Sequence, residues 1–124
     1  MATTNITLGF PSGVKVFEET DLEGTVIAVS AAAVTLYAIE LDNSANAAQD
    51  NYVKLWNVAA GSVTIGTTAP DWIIEMRQGA KTTIHIPGGS TAFSAALSCA
   101  CVTAGGTAGT TNPGSGVVVR IIYA

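Results

Sequence analysis

One histidine, two cysteines and nine carboxylates are this chain's stock of groups able to move a proton, attack a carbonyl or ligate a metal. His85 lies between Ile84 and Ile86, and strand alternation there puts its ring toward solvent. A general base needs a nucleophile and an orienting partner. The chain offers no Gly-x-Ser-x-Gly elbow, and Ser90 and Ser94 beside Pro87-Gly88-Gly89 are ordinary loop composition. Cys99 and Cys101 would share one strand face, spaced along the chain and out of easy disulfide geometry. Together with Phe93, Ala95 and Leu97 they read as small buried hydrophobes. A metal pair completed by His85 lacks a fourth ligand.

The acidic residues Glu18, Glu19, Asp21 and Glu23 lack a calcium-loop pattern and read as a solvated turn. Glu18 and Glu19 would point to opposite strand faces, so they are not a glycosidase acid pair. Gly105, Gly106 and Gly109 have neither P-loop spacing nor a following Lys-Ser or Lys-Thr. The expectation is a protein that is not an enzyme, with no metal site and no cofactor. Trp56, Trp72, Tyr37, Tyr52 and Tyr123 have the rings to stack on sugars, although anchoring a core or an interface is the commoner use.

The elements that must position these groups show a period of two. Trp72, Ile74 and Met76 alternate with Asp71, Glu75 and Arg77, with Ile73 the exception, and Val117, Val119, Ile121 and Tyr123 alternate with Val118, Arg120 and Ile122. Such alternation marks strands with one face on a core. Turn chemistry at Pro11-Ser12-Gly13, Asp42-Asn43-Ser44, Ala60-Gly61, Ala69-Pro70-Asp71, Gln78-Gly79 and Pro87-Gly88-Gly89 separates candidate strands. These fall near 4–9, 13–19, 24–31, 33–41, 51–57, 62–66, 71–77, 81–86, 92–103 and 116–123. No segment carries a helical stripe. The expected fold is all-β: a single antiparallel β-sandwich, jelly-roll-like, of about 8–10 short strands. Residues 1–12 are an N-terminal arm or first strand, and 13–124 form the sandwich, with a long Gly/Thr-rich loop at 104–116.

Charge is what the chain lacks. Charged residues make up 11%, against about 25% for an average domain, and none occurs between Ile86 and Val119. A soluble monomer normally spreads mixed charge over its exterior, so part of this surface is expected to be covered by other protein, copies of itself included. Five scattered cations against a net charge of −4 argue against nucleic acid. The uncharged run Thr25–Ile39 is too short to span a membrane, and the start has no basic and apolar signal pattern. Two segments are candidate interfaces. Ile6, Leu8 and Phe10 lie on one side of the arm, which could complete a neighbour's sheet by strand addition. Thr107, Thr110, Thr111 and Asn112 lie in the long loop, and loops of that length tend to be functional.

An ordered set of short motifs resembles a known group. It comprises Leu36-Tyr37-Ala38-Ile39, Leu41-Asp42-Asn43-Ser44, Tyr52-Val53-Lys54-Leu55-Trp56-Asn57, the run Val63–Asp71, Ile84-His85-Ile86-Pro87-Gly88-Gly89, then Phe93, Leu97-Ser98 and Val102-Thr103, and the closing runs Gly109–Gly114 and Val117–Tyr123. Over residues 33–124 this is similar to small β-sandwich virion structural proteins of tailed bacteriophages. The resemblance implies no catalytic residues. It implies a place in the virion after synthesis in the host cytoplasm, and capsid decoration (cement) between major capsid subunits is the role expected. The hexagonal lattice of a capsid, with local three-fold axes, would suit a homotrimer. The alternative is a tail-fibre or receptor-binding module that uses its aromatic residues or the 104–116 loop on glycan.

Overall fold

In the computed structural model, residues 13–124 are described, and they contain eight strands and no α-helix. The strands are β1 (Lys15–Leu22), β2 (Ile27–Ser30), β3 (Leu36–Asp42), β4 (Asn51–Trp56), β5 (Trp72–Met76), β6 (Lys81–Ser90), β7 (Leu97–Val102) and β8 (Val117–Tyr123). They form two four-stranded sheets, ordered β1-β8-β3-β6 and β2-β7-β4-β5, with every pairing antiparallel. The two sheets face each other across one apolar core, so the protein is the β-sandwich that the alternation predicts. Four of the pairs are nested: β1 with β8, β2 with β7, β3 with β6 and β4 with β5. The chain is thus a long antiparallel ribbon doubled back on itself and wrapped into two layers, with β3–β8 and β4–β7 contacts closing the sheets.

Alternation decides which side chains enter the core. Val117, Val119 and Ile121 of β8 are fully buried, as are Ile39 of β3 and Val53 and Leu55 of β4. Their spacing of two puts them on the inner face, while Arg120 and Glu40 come out on the other. Phe17, Ile27, Trp72, Ile74, Ile84 and Ile86 pack against this core from the edge strands and stay half-exposed. β7 is buried along its whole length on both faces, because its outer face is also covered.

Several boundaries differ from expectation for local reasons. Residues 62–66 are not a strand. Ala60–Ser62 is a 3₁₀ turn, followed by a turn in which the Thr67 and Thr68 amides donate to Thr64 O (3.0 and 2.8 Å). Two apolar residues, Val63 and Ile65, were too few to hold a strand against that turn chemistry. β7 begins at Leu97, not residue 92: the chain bends at Ser94-Ala95, leaving Phe93 buried and Ala95 exposed. β6 runs past Ile86 to Ser90, carrying Pro87 and the positive-φ Gly88 and Gly89 (77° and 79°). An edge strand tolerates a proline that cannot donate to a ladder. The candidate strand at 4–9, with Ile6, Leu8 and Phe10, lies outside the described residues.

The corner between β3 and β4 is pinned by polar groups. Asn43 is fully buried; its Nδ2 donates to Gln49 O (3.0 Å), Arg77 O (3.0 Å) and Met76 O (3.3 Å). Its Oδ1 accepts from Asn46 Nδ2 (3.0 Å) and Asn51 Nδ2 (2.8 Å). Asn46 in turn reaches Ser115, donating to its carbonyl (2.9 Å) and accepting from its amide (2.8 Å). Asn43 and Asn46 together therefore tie the β3–β4, β5–β6 and β7–β8 connections.

Candidate interaction surface

None of the groups with chemical potential is assembled into a site. His85 is exposed on the outer face of β6. Among the described residues no three His, Cys, Asp or Glu side chains come together as metal ligands. Cys99 and Cys101 are free and fully buried on the inner face of β7, and burial pushes both thiols up to about 12. A reactive cysteine needs the opposite, a thiolate stabilised near the surface. The acidic residues Glu19, Asp21 and Glu23 border a shallow depression of about 200 Å³.

The tryptophans are not surface platforms. Trp56 is buried, its indole N–H donating to Thr68 O (3.0 Å). Trp72 points inward and meets Phe93 edge-to-face, with ring centroids 5.1 Å apart. Tyr52 is half-buried, with Gly105 so close that a Cβ there would come within 2.9 Å of its ring. These rings serve packing, which leaves the glycan-stacking alternative without an exposed tryptophan.

What the structure does distinguish is two outer faces of opposite character. The face of the β1-β8-β3-β6 sheet is open and carries charge. Arg120 lies between Glu18 and Glu40, pairing with the first through Nε and with the second at 3.8 Å. Lys81 pairs with Asp42 at 3.4 Å. The Ser44 hydroxyl and backbone N–H, with a smaller contribution from Lys81, hold the Asp42 carboxyl below its ordinary range. A shallow hollow of about 260 Å³ lies among Glu40, Asp42, Lys81, Thr83, Val118 and Arg120. Its charges are already paired with one another.

The face of the β2-β7-β4-β5 sheet is instead roofed by the chain itself. Lys54 on β4 is fully buried and has no carboxylate partner. Its ammonium donates to Gly106 O (2.5 Å) and Gly109 O (3.2 Å), drawing the Gly-rich loop down onto the sheet. Desolvation holds this amine below the ordinary lysine range. The loop is fixed further by Thr103 N donating to Thr111 O (3.0 Å) and Gly24 N donating to Asn112 Oδ1 (3.0 Å). Beside it, segment 57–70 is held by Trp56 and by Ser98 Oγ donating to Val58 O (2.9 Å). The two segments touch where a Cβ on Gly66 would come within 2.6 Å of Thr110 Cγ2.

This roof is both exposed and uncharged. Neither 57–70 nor 104–116 contains Asp, Glu, Lys or Arg. Ala59, Ser62, Thr64, Thr67, Ala104 and Ala108 are exposed, and so are Val58 and the adjacent Ile73 (36% and 43%). Of the loop residues predicted as interface, Thr110, Thr111 and Asn112 are on this exterior and Thr107 is half-buried. The carboxamide of Asn112 is spent internally, on Gly24 and on Glu23 (3.3 Å). Packing on Lys54 thus accounts for part of the loop's missing charge, and its outward side is the rest. Segment 57–70 was not foreseen as part of this surface. Its signal was present, a second charge-free run, but a strand expectation at 62–66 hid it. No protein-family description, curated protein or solved structure matches the chain.

Proposed function

We propose that this protein is a non-enzymatic structural component of a tailed-bacteriophage virion, a capsid decoration (cement) protein binding between major capsid subunits. The observation that carries the reading is the exposed, charge-free roof built by 57–70 and 104–116, with acidic Asp71 and Glu75 at its margin. Protein interfaces are depleted in charge at their centres and polar at their rims. Burying small apolar and hydroxyl groups avoids the desolvation penalty that charges would impose. The motif resemblance over 33–124 supports the virion setting and the host cytoplasm as the place of synthesis. For the fold we infer a jelly roll, supported by the four nested strand pairs, since eight strands in two layers are that architecture's pattern. A homotrimer is the assembly that would suit local three-fold axes.

The test is binding of purified protein to heads that lack decoration, with charge placed on the roof. Val58→Glu and Ala108→Glu change exposed residues and should leave the fold intact. Saturable binding by the natural chain and a loss of more than about ten-fold in the double variant are expected, since an unpaired carboxylate buried at an interface costs several kcal/mol. Absence of binding by the natural chain would overturn the proposal, as would equal binding by the variant.

A further inference from the structure

We propose that residues 6–10 of one copy of this chain add as a strand to the free edge of β6 in a second copy. The receiving site is the seam where the edge strands β5 and β6 leave the two sheets ajar. Within the described residues, β5 pairs only with β4 and β6 only with β3. Trp72 and Ile74 on one side, with Ile84 and Ile86 on the other, are inward-facing yet only half-buried. Edge strands of stable proteins are usually blunted by charge or proline. On β6, Lys81 and Pro87 bracket the window Thr82–Ile86, which itself has no charge apart from the ionisable His85. Within that window Thr82, Ile84 and Ile86 face inward at a spacing of two.

The chain carries a segment of matching pattern. Ile6, Leu8 and Phe10 recur at the same spacing, separated by Thr7 and Gly9, in a stretch without any charged side chain from Met1 to Val14. Such a segment has one apolar face to bury and backbone groups to pair, which a free edge satisfies at once. Its own β6 is out of reach. A strand added beyond β6 lies four inter-strand spacings from β1, roughly 19 Å at about 4.8 Å each. Lys15 is level with Ser90, through Tyr123 and Leu36. β6 bulges against β3 there, Leu36 facing Ser90 but Ala38 facing His85, so the level of Ile86 is at most about 7 Å further along the strand, or roughly 20 Å on the diagonal. The five steps from Phe10 to Lys15 span at most about 18 Å. The partner is therefore a second copy.

This inference deepens the oligomeric part of the proposed function, and it is tested on the isolated protein, so that failure to bind heads leaves it standing. The full chain and its Leu8→Asp variant are compared by sedimentation and by amide hydrogen exchange. The full chain is expected to sediment as an oligomer with the Thr82–Ile86 amides protected. Leu8→Asp should sediment as a monomer, with exchange in that window at least ten-fold faster and the β7 amides unchanged, which shows the sandwich still folded. A monomeric full chain overturns the proposal even if it binds heads, and so does a Leu8→Asp variant that keeps both the oligomer and the protection.

Discussion

Replacing Asn43 by alanine should destabilise the sandwich more than any surface change could. The side chain is fully buried and holds five polar partners: three backbone carbonyls and the carboxamides of Asn46 and Asn51. A carboxamide has two donor hydrogens and two acceptor lone pairs, so about four hydrogen bonds are made at full strength. At about 1 kcal/mol net for each, their loss costs about 4 kcal/mol. Asn46 keeps its bond to Ser115 O. Asn51 does not fare as well: its Nδ2 has Asn43 Oδ1 as its bonding partner, and its own Oδ1 already has none. An orphaned buried donor adds about 1–3 kcal/mol, so the expected total is roughly 5–7 kcal/mol, a large share of the 5–15 kcal/mol of a typical domain. Urea unfolding followed by tryptophan fluorescence reads this as a lower midpoint at unchanged slope. Ala48→Ser, exposed on the same connection, is the control and should shift stability by less than about 0.5 kcal/mol. A loss below about 1 kcal/mol in Asn43→Ala, with the slope unchanged, would refute the reasoning that this residue pins the β3–β4 corner to the end of β5.

The buried thiols make a pH prediction. Both have folded values raised from 9.0 to about 12, so the unfolded chain releases their protons first. The stability they contribute is fully present below pH 9 and is lost as pH climbs toward 12, by roughly 1.4 kcal/mol per pH unit for each thiol. Lys54 works the other way, because its lowered value relieves a buried charge as pH rises toward 10.5. A Cys99→Ala/Cys101→Ala variant should therefore show a shallower alkaline loss in denaturation curves, and an equally steep one would contradict the assignment. Lys54→Met should speed amide exchange at Thr103 and Gly109, whose loop loses the ammonium bridging Gly106 and Gly109. Unchanged exchange would mean the loop is held by something else. In Gly116→Ala a Cβ would fall within 2.7 Å of the Asp21 Cα, a backbone atom beside the β1 register shift. A loss of about 1–3 kcal/mol in thermal or urea unfolding is expected, and a neutral substitution would show that β1 yields easily there.

Period-two alternation and the turn residues between runs made most of the strands legible, because one inward face dictates the alternation: β3, β5 and β8 fall within three residues of the candidates at 33–41, 71–77 and 116–123. The failures were where side chains serve backbone polar groups instead of a core. Thr64 and Thr68 make a turn that looks like a strand in composition. Asn43 and Lys54 look like surface residues in sequence, and both are fully buried. Their partners come from remote connections, Met76 and Arg77 for one, Gly106 and Gly109 for the other, and no local pattern announces such pairings. The missing charge of 104–116 was visible at once. That it belongs to a roof shared with 57–70 depends on the fold bringing Gly66 against Thr110.

The central claim is that the uncharged roof is a contact surface for capsid subunits. A density map of decoration-free heads incubated with the purified protein tests it most directly. The account predicts ordered copies at regular positions on the head, with 57–70 and 104–116 against capsid protein and the Glu18–Arg120–Glu40 face turned outward. Heads that remain bare, or copies docked by the charged face with the roof in solvent, would contradict it.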